Sequence, residues 1–186
     1  MKNITVIGIG KLGLCFALSL EKNGFRVVGV DINEDYIRSL NEKTFVSDEP
    51  GVNTLILNSK NISITSDLRK GLEHSEIIFL FVATPSLPEG RYDHSQIERI
   101  SSQLKSLGSK KNKKSLVIGC TTMPGFCDIL EKDLSRYGYY ISYNPEFIAQ
   151  GSIIKDLVNP DMILIGESSK EDGDLIEEVY KKICKN

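Results

Sequence analysis

The sequence predicts an α/β fold, doubly wound, with a mostly parallel sheet covered by helices on both faces. Several apolar runs, such as those within Ile77–Val82 and Leu116–Cys120, are continuous rather than alternating, which indicates strands buried on both faces. Amphipathic stretches separate the runs, and this alternation is typical of parallel strands joined by right-handed helical crossovers. The expected strands are Ile4–Gly8, Arg26–Asp31, Ile62–Thr65, Ile77–Val82, Leu116–Cys120, Tyr139–Tyr143 and Met162–Gly166.

The stretches between the runs carry apolar residues at helical spacing. Lys11–Asn23 stops before Gly24, which suits the left-handed residue that often follows a helix. The other expected helices are Glu34–Asn41, Gly51–Leu57, Asp67–Leu72, His94–Leu107, Phe126–Leu134 and Asp174–Ile183.

Length and composition limit the class of protein. The 186 residues suit one domain with its own core, and 40% apolar with 26% charged residues is the balance of a globular chain. A net charge of −2 predicts neither nucleic-acid nor membrane binding, since such proteins are expected to be more basic. Four widely spaced cysteines without a CxxC pair predict neither a disulfide framework nor a metal site, and a cytoplasmic location is expected.

The strongest local signal is a glycine motif between the first strand and the first helix. Gly8 permits a tight turn, Gly10 lets the backbone approach a pyrophosphate, and Gly13 lets the helix pack close to the strand. Phosphates would then bind the free N–H groups at the start of the helix, as in Rossmann-type folds. The expected cofactor-binding residues of this loop are Gly8, Ile9, Gly10, Lys11, Leu12 and Gly13.

A carboxylate at the end of the second strand strengthens this interpretation. Asp31 lies about 20 residues after the motif, where an acidic residue accepts hydrogen bonds from the ribose hydroxyls of NAD. Asp31 would repel the 2′-phosphate of NADP, and no arginine follows immediately, so NAD is the expected cofactor. The alternative is a glycine-rich turn beside an acidic strand end with no ligand.

Three polar loops follow later strands at the edge where ligands bind in such sheets. They are 83–86, 121–125 and 144–151, and Glu146 is the one carboxylate in them, which makes it a candidate acid or base. The alternative is that Thr-Pro and Asn-Pro are plain turn formers. The basic run Lys110–Lys114 belongs at the opposite edge and is expected to be a solvated loop.

From Ile4 to about Glu167 the chain resembles the N-terminal NAD-binding domain of the UDP-glucose/GDP-mannose dehydrogenases. The resemblance rests on the glycine loop, Asp31 in VDIN and Glu49-Pro50-Gly51, and on three longer segments. These are FVATPSLPEG at 81–90, TTMPG at 121–125 and NPEFIAQGSIIKDLVNPDMILIG at 144–166.

The resemblance implies an NAD-dependent oxidation of the C6 alcohol of a nucleotide-sugar, of UDP-glucose or GDP-mannose type, to a carboxylate through a cysteine-bound intermediate. It implies that Thr84 and Thr122 line the nicotinamide and that Glu146 assists water attack. The same likeness places Tyr36 near the adenosine ribose and gives Gln150 cofactor contacts. Glu146 and the segment after it would contact the sugar: Phe147, Ile148, Ala149 and Gln150.

Several positions depart from the family pattern. Gln150 replaces a second glutamate and cannot act as a base, Met162 replaces an arginine, and Ala83 replaces a common proline. Tyr36 lies near the position where a basic residue often helps to hold the adenosine ribose. The turn at 124–125 also looks one residue shorter than usual.

The second departure is length, because the family's cysteine, lysine and asparagine lie beyond a long central helix. The chain is expected to be the NAD-binding domain alone, residues 1–186, inert in full turnover, and the full-length protein to be a homodimer. Two alternatives stay open: a stand-alone NAD(H)-binding module, and a dehydrogenase of the 3-hydroxyacid or 6-phosphogluconate type.

Overall fold

The computed structural model describes residues 2–108 and 112–185 and contains a six-stranded, fully parallel sheet in the order β3-β2-β1-β4-β5-β6. The order reverses between β1 and β4, and the carboxyl ends of these two strands therefore open a crevice of the kind that binds ligands in open α/β sheets. The strands are β1 Asn3–Ile7, β2 Arg26–Val30, β3 Ile62–Thr65, β4 Ile77–Leu80, β5 Lys114–Ile118 and β6 Tyr139–Tyr143.

Helices connect the strands. They are α1 Lys11–Lys22, α2 Glu34–Asn41, α3 Val52–Asn58, α4 Leu68–His74, α5 Ser95–Ser106, α6 Phe126–Leu134, α7 Ile153–Val158 and α8 Lys170–Ile183, with a 3₁₀ turn at Ser135–Tyr137. The sequence did not predict α7. Helix α8 begins four residues before the expected Asp174, because the Ser169 side chain caps it by accepting a hydrogen bond from the Asp172 N–H.

The expected strand Met162–Gly166 is wrong. Within the described residues, this segment joins the sheet only at Gly166, which makes an isolated antiparallel bridge with Tyr143 at the end of β6. Ile163 and Ile165 pack against the core while Met162 and Leu164 are exposed, so this continuous apolar run forms a half-buried extended segment. The segment crosses the end of the edge strand, and only its last residue reaches the ladder.

The core lies on both faces of the sheet, as the continuous apolar runs predicted. In β4, Ile77 and Phe79 pack with helices α1, α2, α3, α7 and α8 on one face. Ile78 and Leu80 pack with α4, α5 and α6 on the other face. Since side chains alternate along a strand, a run that is apolar at every position buries both faces.

The basic run predicted to be a solvated loop lies partly outside the described residues, at Lys110 and Lys111. Lys114 is buried at the start of β5 and donates to the Ser75 carbonyl at 2.7 Å, so the solvated interpretation is wrong for this residue. Its position at the amino edge of the sheet agrees with the prediction. No helix in the described ranges has the length and apolar character needed to cross a membrane.

Candidate functional site

Two glycines of the motif are required by the protein's own packing. Gly8 has φ +85° and donates its N–H to the Val30 carbonyl at 2.8 Å, and a Cβ there would lie 2.0 Å from the Phe81 carbonyl oxygen. A Cβ on Gly13 would lie 1.9 Å from the Gly8 carbonyl oxygen. The chain can therefore turn from β1 into α1 in this way only with glycine at both positions.

The middle glycine has a different environment. Gly10 adopts an ordinary extended conformation, with φ −66°, and a Cβ there would meet no protein atom within 4 Å. It precedes α1 without any side-chain cap, so the first N–H groups of the helix lack partners within it. Nothing in the fold requires glycine here, and the open space beside uncapped N–H groups fits the pyrophosphate of a dinucleotide.

Asp31 anchors the glycine loop as well as facing the crevice. One carboxylate oxygen accepts from the Ile9 N–H at 3.0 Å, and the other accepts from the N–H groups of Ile32 at 2.8 Å and Asn33 at 3.1 Å. Since a carboxylate offers about four acceptor positions, roughly one remains for a ribose hydroxyl. The sequence did not indicate this structural role.

A cavity of about 870 Å³ extends from the glycine loop along the carboxyl ends of β1 and β2. Gly10 and Asp31 lie in its wall, and Ile32, which is 87% exposed, borders it with an apolar surface. The cavity wall also contains Arg69 from α4 and Arg99 from α5, which sequence reasoning missed. Both lie far from Asp31 in the chain, and only the crossover topology brings them to the same cavity.

The loop after β4 and the loop after β5 contact each other at His94. Thr84 precedes a small hairpin closed by the Ser86–Tyr92 bridge, and this hairpin leads to His94 at the start of α5. The His94 Nε2 accepts from the Met123 N–H at 3.2 Å, next to Thr122. Burial lowers the pKa of His94, which favours the neutral ring needed to accept this bond. The structure thus ties the two threonine-bearing loops together at one edge of the sheet.

Tyr36 lies outside the wall of the large cavity. Its ring packs edge-on against Phe45, with centroids 4.9 Å apart, and burial, with a contribution from Asp31, raises its pKa to about 12. Its contact with an adenosine ribose stays a prediction.

Glu146 turns inward from the loop after β6. Its carboxyl makes a hydrogen bond with the hydroxyl of Tyr180 on α8, and that hydroxyl also lies 2.6 Å from the Asn144 side-chain oxygen. Burial raises the pKa of Glu146 from its usual 4.5 to about 7, although donation from Tyr180 to the ionised carboxylate opposes the shift. A carboxyl with a pKa near neutrality can both give and take a proton at physiological pH.

The rest of the predicted sugar-binding segment divides between surface and core. Phe147 and Gln150 are exposed, while Ile148 packs against the core. The segment is anchored by Glu49, which is 3% exposed. Its carboxylate oxygens accept from the Gly151 N–H at 2.9 Å and the Ile153 N–H at 2.8 Å. Glu49 thus fixes the start of α7, a role that sequence reasoning did not assign.

None of the four cysteines has the environment of an activated nucleophile. All four are free thiols. Burial raises the pKa of Cys15 to about 12 and that of Cys120 to about 11, and it also raises the pKa values of Cys127 and Cys184. Because the thiolate is the reactive form, these shifts disfavour nucleophilic attack.

Taken together, the strand order, the glycine turn and the cavity beside Asp31 define a dinucleotide-binding domain of the Rossmann type. Residues 2–184 match the NAD-binding domain of the UDP-glucose/GDP-mannose dehydrogenase family, and the chain belongs to this family. Membership confirms the predicted family, fold class and NAD cofactor. It decides against the 3-hydroxyacid and 6-phosphogluconate alternative.

Individual relatives agree with this assignment. The chain is 30% identical to the GDP-mannose 6-dehydrogenase of Pseudomonas aeruginosa, over 97% of this chain and 44% of that protein. It is also 30% identical to the UDP-glucose 6-dehydrogenase TuaD of Bacillus subtilis, over 97% of this chain and 41% of that protein. The chain therefore spans less than half the length of these relatives.

Solved structures show the same relationship. A ternary complex of the Pseudomonas aeruginosa GDP-mannose dehydrogenase superposes with a TM-score of 0.87 at 29% identity, over 96% of this chain and 44% of that one. A UDP-glucose dehydrogenase from Pyrobaculum islandicum gives a TM-score of 0.87 at 25% identity, over 98% of this chain and 44% of that one.

Proposed function

We propose that this domain holds NAD for an enzyme that oxidises the C6 alcohol of a UDP- or GDP-sugar to a uronic acid. The cofactor assignment rests on Gly10. The fold leaves open space at this position, beside the uncapped N–H groups of α1, and a side chain there would fill that space. The substrate assignment follows from the family and from the names of the relatives.

Different residues of the crevice bind different parts of NAD. The N–H groups that follow Gly10 bind the pyrophosphate, and Asp31 accepts a hydrogen bond from the adenosine ribose. Thr84 and Thr122 orient the nicotinamide end, held at one edge of the sheet by the His94–Met123 bond. Bound NAD supplies the hydride acceptor, and the protein contributes position and proton handling.

The loop after β6 forms the substrate side of the site. Residues 147–150 contact the sugar, and neither Ala149 nor Gln150 carries a group that can act as a base. Glu146 is then the group of this segment that can exchange a proton with water. Its pKa near 7 suits this task. We further propose that the full-length protein acts as a homodimer.

Calorimetric titration of the 186-residue chain with NAD and NADP tests the cofactor assignment. NAD is expected to bind more tightly, because Asp31 opposes a 2′-phosphate. Gly10→Ala should weaken NAD binding about tenfold or more, since an added methyl group in a filled site typically costs ~1–3 kcal/mol. Gly166→Ala is the matched control, because its Cβ would make only ordinary contacts, at 3.4 Å, away from the cavity. Equal affinity for both cofactors, or equal loss in both variants, would refute the assignment.

A further inference from the structure

The hydroxyl of Tyr180 lies between two oxygen atoms in the interior. Tyr180 is 4% exposed, and its hydroxyl contacts both the Asn144 Oδ1 at 2.6 Å and the Glu146 Oε1. The side-chain amide of Asn144 is oriented by its Nδ2, which donates to the Leu164 carbonyl at 2.9 Å. The Asn144 atom that faces Tyr180 is therefore the oxygen, an acceptor.

The number of protons shared by Glu146, Tyr180 and Asn144 determines in which charge state of Glu146 every contact is a hydrogen bond. A phenol hydroxyl has one proton and can donate only once. If Glu146 were ionised, Tyr180 would face two acceptors with one proton, and one buried acceptor would stay unpaired at a cost of about 1–3 kcal/mol. If Glu146 is protonated, it donates to Tyr180 and Tyr180 donates to Asn144, so every contact is a hydrogen bond.

We propose that Asn144, by accepting the single proton of the Tyr180 hydroxyl, keeps Glu146 in its protonated form, and that Tyr180 is a positioning residue for this carboxyl group. When Glu146 loses its proton, the Tyr180 hydroxyl turns from Asn144 to the new carboxylate. The catalytic meaning of this switch rests on the proposed function: Glu146 must release its proton before it can accept one from water.

The surroundings of the carboxyl agree with this assignment. Burial raises the pKa of Glu146, and two titratable groups among the described residues, Tyr180 and Cys184, interact with it. Burial and the neighbouring Glu146 raise the pKa values of both groups, which therefore stay neutral near pH 7. No cation pairs with the carboxyl among the described ion pairs.

Carbon-13 NMR of the Glu146 carboxyl across pH tests the proposal on the 186-residue chain without cofactor or substrate. The wild-type carboxyl should titrate near pH 7 rather than near 4.5. Asn144→Ala should lower this pKa by about one unit, a tenfold change in ionisation, because Tyr180 is then free to donate to the carboxylate.

The variant Tyr180→Phe provides the control for this coupling. In the Tyr180→Phe background, Asn144→Ala should leave the Glu146 pKa unchanged, since the shared hydroxyl is gone. A wild-type pKa near 4.5, or an equal effect of Asn144→Ala in both backgrounds, would overturn the proposal. The wild-type titration shows whether the pKa of Glu146 is raised even if a variant does not fold. NAD binding is measured separately, so a failure here is distinct from a failure of the proposed function.

Discussion

Replacing Glu146 with glutamine should stabilise the chain at neutral and alkaline pH. The folded chain raises the pKa of Glu146 from 4.5 to about 7, so between these values the folded state keeps a proton that the unfolded state releases. Stability from this group is fully present below pH 4.5 and is lost as the pH rises through about 7. At about 1.4 kcal/mol per pKa unit, the loss amounts to about 3 kcal/mol.

Glutamine carries no charge and can donate to Tyr180 as the protonated carboxyl does. Glu146→Gln should therefore match the wild type in its pH dependence below pH 4.5 and exceed it in stability by about 3 kcal/mol above pH 7. Urea unfolding at several pH values measures this difference. The control is Glu89→Gln, an exposed residue in the hairpin after β4, which should give no pH-dependent difference.

The reasoning is refuted if the stability difference between Glu146→Gln and the wild type is constant from acidic to alkaline pH. It is also refuted if the variant becomes less stable relative to the wild type as the pH rises. A constant difference would mean that folding leaves the pKa of the carboxyl unchanged, and a falling difference would mean that folding lowers it.

Other predictions concern the cofactor and the reaction. Asp31→Asn should weaken NAD binding by about 1–3 kcal/mol and destabilise the loop, because an amide nitrogen cannot accept a hydrogen bond, so either the Ile9 N–H or the N–H groups of Ile32 and Asn33 would lose their acceptor; calorimetry that shows unchanged affinity would contradict this. The 186-residue chain with NAD and UDP-glucose or GDP-mannose should form no NADH by absorbance, because burial raises the pKa of all four thiols; cysteine-dependent NADH formation would contradict it. In an enzyme containing this domain, Glu146→Gln should slow hydrolysis of the cysteine-bound intermediate ~10²–10⁴-fold, and intact mass spectrometry should detect that covalent adduct; turnover at the wild-type rate would show that Glu146 is structural.

The sequence predicted most of the fold because its signals are local. Apolar runs predicted all six strands of the sheet, together with the wrong strand Met162–Gly166, and the glycine motif predicted the turn from β1 into α1. Met162–Gly166 misled the prediction because a half-buried extended segment has the same apolar pattern as a strand. Helix α7 was missed because it is only six residues long and follows a polar loop.

The site was less predictable because its contacts join distant parts of the chain. Glu146 was identified as a candidate, but its partner Tyr180 lies 34 residues later in the chain. Tyr180 belongs to the buried stripe of α8, and its spacing in the sequence does not distinguish it from an apolar core residue. Glu49 anchors a loop about one hundred residues away, and the three backbone bonds of Asp31 depend on the folded turn. Residue type indicates chemistry, whereas the tertiary fold decides the partners.

The most direct test of the account follows the backbone N–H signals of the labelled chain by NMR as NAD is added. Binding at the glycine loop should shift the signals of Gly10, Lys11 and Leu12, together with that of Ile9, whose N–H is held by Asp31. Addition of NADP at the same concentrations should produce smaller shifts. Saturating NAD that leaves these four signals unchanged, or shifts only residues far from the cavity, would contradict the assignment of this crevice as the NAD site.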